Sequence, residues 1–175
     1  TNAEVPLPIG APGRLSQLDD EHIILNAEGF THFGTAFDLA RTELEALPQR
    51  LRDSGRLHGA RLSLRRPLVV MVTDGAANDD VDERDQAWQR LVNSKLSPNI
   101  VMVGVGDADP DQLKRYKNRR GVALLSKTPD DVSGALTGLI DLMQGTIIAM
   151  GEADNASQPI IDESMIDDDL FEILE

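Results

Sequence analysis

No cysteine occurs among the 175 residues, which excludes disulfides, zinc–thiolate centres and thiol catalysis. Aromatic residues are only 3% of the chain against 41% hydrophobic residues overall. The expected core is therefore one of Leu, Val, Ile and Ala. No apolar run approaches the roughly 18 residues of a membrane-spanning helix, so no membrane partner is expected. Lys and Arg are absent after Gly151, where nine acids follow, and these nine account for most of the formal net charge of −13. An acidic chain of this kind argues against nucleic acid as a partner. A P-loop is also lacking, and Gly104-x-Gly106 follows an apolar run without the third glycine of a dinucleotide fingerprint.

What is present alternates between two periodicities. Leu68–Val72 and Asn99–Val105 are short uncharged runs rich in β-branched residues, the pattern of parallel strands buried on both faces, and Val122–Leu125 is a third. Between them lie amphipathic stretches. Thr35–Asp53 carries Phe37, Leu39, Ala40, Leu44, Leu47 and Leu51 on a helical stripe, with Pro48 expected to kink or split it. A second helix begins at Asp80 or Asp82 and buries Ala87, Trp88, Leu91 and Val92. A short helix spans Asp109–Asn118, and a long one Pro129–Met150 has Asp130 and Asp131 in its first turn. Strands alternating with helices predict an α/β fold, a Rossmann-like open and mainly parallel sheet with helices on both faces. Glu4–Ile9 reads as an edge strand because Pro6 and Pro8 remove ladder donors. Residues 1–150 form the expected domain, and 151–175 an acidic, flexible tail. The alternative for the tail is a short segment that folds on a partner or on its own domain's basic cluster, Lys114, Arg115, Lys117, Arg119 and Arg120.

The stretch VVMVTDGAANDD, Val69–Asp80, places Asp74 where a parallel strand stops. A carboxylate there points into the crevice in which open α/β sheets bind ligands, or it caps a turn. Gly75 is expected to turn the chain through a positive φ. Asp107 and Asp109 follow the next strand. Asp79, Asp80 and Asp82 suit a helix start better than a ligand set.

Three pieces together resemble the von Willebrand factor A (VWA) domain, most closely bacterial cytoplasmic VWA proteins of the tellurium-resistance type. They are Gly29–Ala36 (GFTHFGTA), Val69–Asp80, and Ile100–Leu113 (IVMVGVGDADPDQL). The resemblance implies a metal-ion-dependent adhesion site (MIDAS). Thr31 would ligate through its hydroxyl and Asp74 through water, with Gly29, Gly34 and Gly75 shaping the loops and Asp79, Asp107 and Asp109 as secondary candidates. It implies Mg²⁺, or Mn²⁺ or Ca²⁺, a protein partner presenting Asp or Glu, a stress-response or metal-resistance setting, a cytoplasmic location and no enzymatic activity. Neutral hydroxyls with few carboxylates make a hard, oxygen-only site. It has no evident general base, which suits binding better than hydrolysis.

The Asp-x-Ser-x-Ser motif of that site does not occur here. The resemblance then implies that the first strand, first helix and second strand are missing, and that another polypeptide or an N-terminal fragment completes the sheet. Two rival readings stand beside this one. One is a phosphoryl-transfer or nuclease-type enzyme using Asp74 with Asp107 and Asp109, since two-metal chemistry needs clustered carboxylates. The other is a scaffold with a degenerate metal site.

Overall fold

The computed structural model describes residues 31–53, 66–128, 130–152, 161 and 163–175. The expected strand at Glu4–Ile9, Gly29, and most of the basic connection Ser54–Arg66 lie outside them. In chain order the elements are α1 (Phe33–Asp53), β1 (Leu68–Thr73), α2 (Val81–Val92), β2 (Asn99–Gly104), α3 (Pro110–Arg115), β3 (Val122–Ser126), α4 (Val132–Glu152), a 3₁₀ turn (Glu163–Met165) and β4 (Phe171–Ile173). They divide into two compact units, one holding α1 and α2, the other the strands with α3 and α4.

The second unit is an open four-stranded sheet in the order β1-β2-β3-β4. The first three strands are parallel, in a register that sets Val70 opposite Val101 and Val101 opposite Val122. Strand β4 runs antiparallel to β3, with Leu125 opposite Glu172. Side chains alternate across a strand, so β2 serves two layers. Val101 and Val103 pack with Leu124 and with Ala135, Leu139 and Leu142 of α4. Gly104, on the other face, lies against Leu113 of α3. Helices therefore cover both faces, and every residue of β2 is buried. Each fully buried Val, Leu or Ile of this kind contributes roughly 1.5–3 kcal/mol.

Strand β1 has the composition of a central strand and the position of an edge. Among the described residues nothing pairs with its outer side, and Val72 is 44% exposed. Its six residues, LVVMVT, carry none of the charges or prolines that usually blunt a sheet edge. In the chain alone, backbone amides on the outer side of β1 are expected to exchange with deuterium at least about ten-fold faster than those of β2. Uniform protection across both strands would show that the edge is filled.

The acidic C-terminal segment, whose charge pointed to a flexible tail, joins the sheet over its last part. Phe171, Ile166 and Leu174 are buried, and the Leu174 N–H donates to the Ala123 carbonyl at 2.8 Å. The acids around them face outward, so charge content and burial are separated side chain by side chain.

In the first unit α1 and α2 pack on each other. Scarce as aromatics are, three of them meet here. Phe33 and Phe37 stack edge to face at 6.0 Å between ring centroids, and Phe37 and Trp88 lie 5.2 Å apart. Helix α1 begins at Phe33, two residues before the expected start, because Phe33 belongs to this buried cluster. It also runs unbroken through Pro48, which corrects the expected split. Glu43 and Arg50 form an ion pair that spans the proline, and Arg41–Glu45 and Gln49–Asp53 bridge the turns on either side. Among the described residues, no helix is long and apolar enough to cross a membrane.

Candidate functional site

Asp74 follows β1 directly, and its loop is fastened along its length. The Thr73 hydroxyl donates to the Gly75 carbonyl at 2.9 Å and accepts from the Gly75 N–H. The Asp74 carbonyl accepts from the Asp107 N–H at 3.2 Å, and the Val105 N–H donates to the Thr73 carbonyl. Further on, the Ala77 N–H donates to the Gln112 side chain of α3 at 2.7 Å. The Asp74 side chain itself is exposed. A rigid loop thus presents an open carboxylate at the carboxyl ends of two neighbouring parallel strands, where open sheets place ligands.

Gly75 does not take the positive φ expected of it. Among the described glycines only Gly106 does, at φ 56°. The Thr73 hydroxyl turns the chain after β1, and the left-handed residue sits instead after β2. Gly106 lies against the Asp74 carbonyl, which a Cβ there would approach to 3.5 Å. Asp107 is exposed. Asp109 is the N-cap of α3, its carboxylate accepting from the Asp111 N–H at 2.9 Å.

The other sequence candidates belong to the first unit. Thr31 is half-buried, and its carbonyl accepts from the Asn78 N–H at 2.8 Å. Gly34 is the second residue of α1 and serves by close approach. Its N–H donates to Asp79 Oδ2 at 2.6 Å, and a Cβ would come within 3.3 Å of the Arg84 backbone. The other Asp79 oxygen pairs with Arg84 at 3.1 Å, both side chains being nearly buried. Asp80 caps α2 by accepting from the Asp82 and Glu83 N–H groups. Asp79 is therefore a clamp between two helix starts, and its two oxygens are engaged.

A groove of about 860 Å³ runs beside these residues, lined by His32, Thr35, Asp38, Asp80, Glu83 and Arg90 among others. Most of its acids already have structural work. Asp38 is held below the usual carboxylate range, chiefly by the hydrogen bonds from Arg90, with Arg41 nearby adding to the effect. Neither Arg84 nor Gln112 carried a signal in the sequence. A buried arginine and a helix-borne amide acquire these roles only from which elements meet.

The basic cluster divides. Lys114 and Arg115 lie on α3, Arg115 over the Tyr116 ring at 5.8 Å. Lys117, Arg119 and Arg120 border a 300 Å³ cleft that also holds Ile173, Leu174 and Glu175, and the Lys117 ammonium donates to the Leu174 carbonyl at 2.7 Å.

For a metal ion, the available donors fit in kind and fall short in number. Asp74 supplies a hard, open oxygen ligand, yet the described residues contain no group of three His, Cys, Asp or Glu able to hold a metal. Comparison with protein-family models, with curated proteins and with solved structures gave no match.

Proposed function

We propose that the chain is a metal-dependent protein-binding module of the VWA kind rather than an enzyme. In this reading Asp74 binds one Mg²⁺ ion, Thr31 is the further ligand that the resemblance implies, and an Asp or Glu of a protein partner completes the coordination. The observation that carries it is the Asp74 loop, braced by Thr73, Asp107 and Gln112 while its carboxylate stays open. A carboxylate held for structural reasons alone would be turned into a cap or an ion pair, as Asp109 and Asp79 are. When bound, the ion would offer a Lewis-acidic position to an incoming carboxylate. The chain's own part is to fix Asp74 and leave room beside it.

The uncharged edge of β1 supports the second half of the reading, that a strand from another polypeptide or an N-terminal segment completes the sheet. Such a strand would also be a source for the ligands that the described residues lack. Its addition should raise the deuterium protection of β1 to that of β2.

The metal itself is the probe for the first half. Titration of the full chain with Mg²⁺ and Mn²⁺ by calorimetry should show binding that Thr31→Ala and Asp74→Ala each weaken at least about ten-fold. Both substitutions should leave the melting temperature without metal unchanged. Binding that survives Thr31→Ala but not Asp74→Ala, together with phosphoester turnover, would replace the module by the enzyme that uses Asp74 with Asp107 and Asp109. Binding indifferent to both would leave a scaffold with a degenerate site.

A further inference from the structure

The C-terminal segment is bound to its own domain in the manner of a peptide ligand. Its strand is three residues long, pairing Leu124–Ser126 with Phe171–Ile173, and its anchors are apolar. Ile166 and Phe171 enter the core formed by β2, β3 and α4, and Leu174 is buried outside that cluster. Gly138 of α4 leaves the space that Leu170 fills: a Cβ there would stand 2.5 Å from the Leu170 Cδ1. The polar grip is almost wholly on backbone. Lys117 donates to the Leu174 carbonyl, Lys127 to the Asp168 carbonyl, and the Lys127 N–H to the Leu170 carbonyl.

The acids contribute differently. Asp167 turns its carboxylate back onto the Asp169 N–H. Asp168, Asp169, Glu172 and Glu175 are exposed, and none forms an ion pair among the described residues. Of these, Glu175 borders the cleft that Lys117, Arg119 and Arg120 also line. Recognition thus rests on an extended backbone and three apolar anchors, with charge of the right sign around them. Strand addition at a sheet edge works in this way, with main-chain bonds giving affinity and pockets for alternate side chains giving selectivity.

From this geometry we infer that the outer edge of β3, with the notch at Gly138 and the basic rim, is a binding surface for an extended acidic-apolar segment of another protein. The chain's own residues 161–175 hold it closed as a built-in competitor. The ligand would carry large apolar residues at the spacing of Ile166, Phe171 and Leu174, with acids between them. A tethered competitor acts at an effective concentration of about 1 mM. It therefore lowers the apparent affinity of an outside segment by the fraction of molecules that are open. This surface stands apart from the Asp74 site and does not depend on the metal reading.

The experiment uses the full chain and a fluorescein-labelled peptide of residues 161–175. Phe171→Asp with Leu174→Asp releases the internal segment. Fluorescence anisotropy should then show the peptide binding this variant roughly 100-fold more tightly than the parent chain. An unlabelled peptide carrying the same two substitutions should fail to compete. Equal binding to parent and variant, or none to a variant that still melts cooperatively, overturns the inference. A second chain covers the case in which the variant does not fold. Because cysteine is otherwise absent, Leu125→Cys with Glu172→Cys introduces a single thiol pair at facing positions. Saturable peptide binding should be present when the pair is reduced and lost when it is oxidised. Binding that is the same in both states, or failure of the disulfide to form, overturns it as well.

Discussion

Replacing Gly121 with alanine is expected to lower stability by about 3 kcal/mol or more, the upper end for overpacking, and the melting temperature by roughly 6–12 °C. The cause is the approach of two backbones. An added Cβ would lie 1.8 Å from the Ile100 carbonyl oxygen and 2.9 Å from the Asn118 side chain. Neither neighbour yields easily. Ile100 belongs to the fully buried β2. Asn118 is held between the Pro98 carbonyl, to which it donates at 2.6 Å, and the Ile100 N–H, from which it accepts. Making room means moving the start of β2 or the turn that leads into β3. Gly106→Ala is the useful contrast. Its φ of 56° strains any other residue at a cost of about 1–2 kcal/mol, but its Cβ would meet only the Asp74 carbonyl oxygen, at an ordinary contact distance of 3.5 Å. Thermal and urea denaturation of the two variants should rank Gly121→Ala as clearly the worse. A Gly121→Ala chain melting within about 2 °C of the parent would mean that the two backbones do not come this close.

The second large effect concerns Asp79. Its removal leaves the nearly buried Arg84 guanidinium short of its carboxylate and the Gly34 N–H without its acceptor. Breaking a buried pair from one side costs roughly 3–5 kcal/mol, because a charge stays behind in a poor solvent. Asp79→Ala should therefore be severe. Asp79→Asn keeps an acceptor oxygen while losing the charge, and should be intermediate. Adding Arg84→Met to Asp79→Ala removes the charge that Asp79 had balanced and should restore roughly 1–2 kcal/mol, a non-additive result diagnostic of direct coupling. All three effects should be the same with and without Mg²⁺. A penalty that appears only when the metal is present would return Asp79 to the ligand set in which the sequence also allowed it.

These two residues illustrate what was legible in the chain beforehand. Asp80 was readable as a helix cap because an acid ahead of an amphipathic run has a local purpose. The three strands were readable as strands because short apolar runs have no competing explanation, but the burial expected of Leu68–Val72 is not found: β1 is a half-exposed edge. Asp74 at a strand end was readable for the same reason. Asp79 was less so: its partners lie 45 residues away in Gly34 and five away in Arg84, and only the packing of α1 on α2 unites them. The turn after β1 was assigned to Gly75 because glycine advertises positive φ, whereas a threonine hydroxyl does the work without a distinctive pattern. In the C-terminal segment, acids outnumber the anchors, and the anchors at 166, 171 and 174 follow neither helical nor strand periodicity over a useful length. Their burial depends on a notch in α4 that no local window contains.

Strand β4 also carries a consequence for synthesis. Its first residue, Phe171, follows the end of β3 at Ser126 by 45 positions. At translation rates of about 5–20 residues per second, that interval lasts roughly 2–9 s. During it the nascent chain holds β1, β2 and β3 with the border of β3 uncovered, and, once α4 has been made, the hollow at Gly138 empty. Neighbouring chains on a crowded polysome meet that border before the chain's own closing strand has been made.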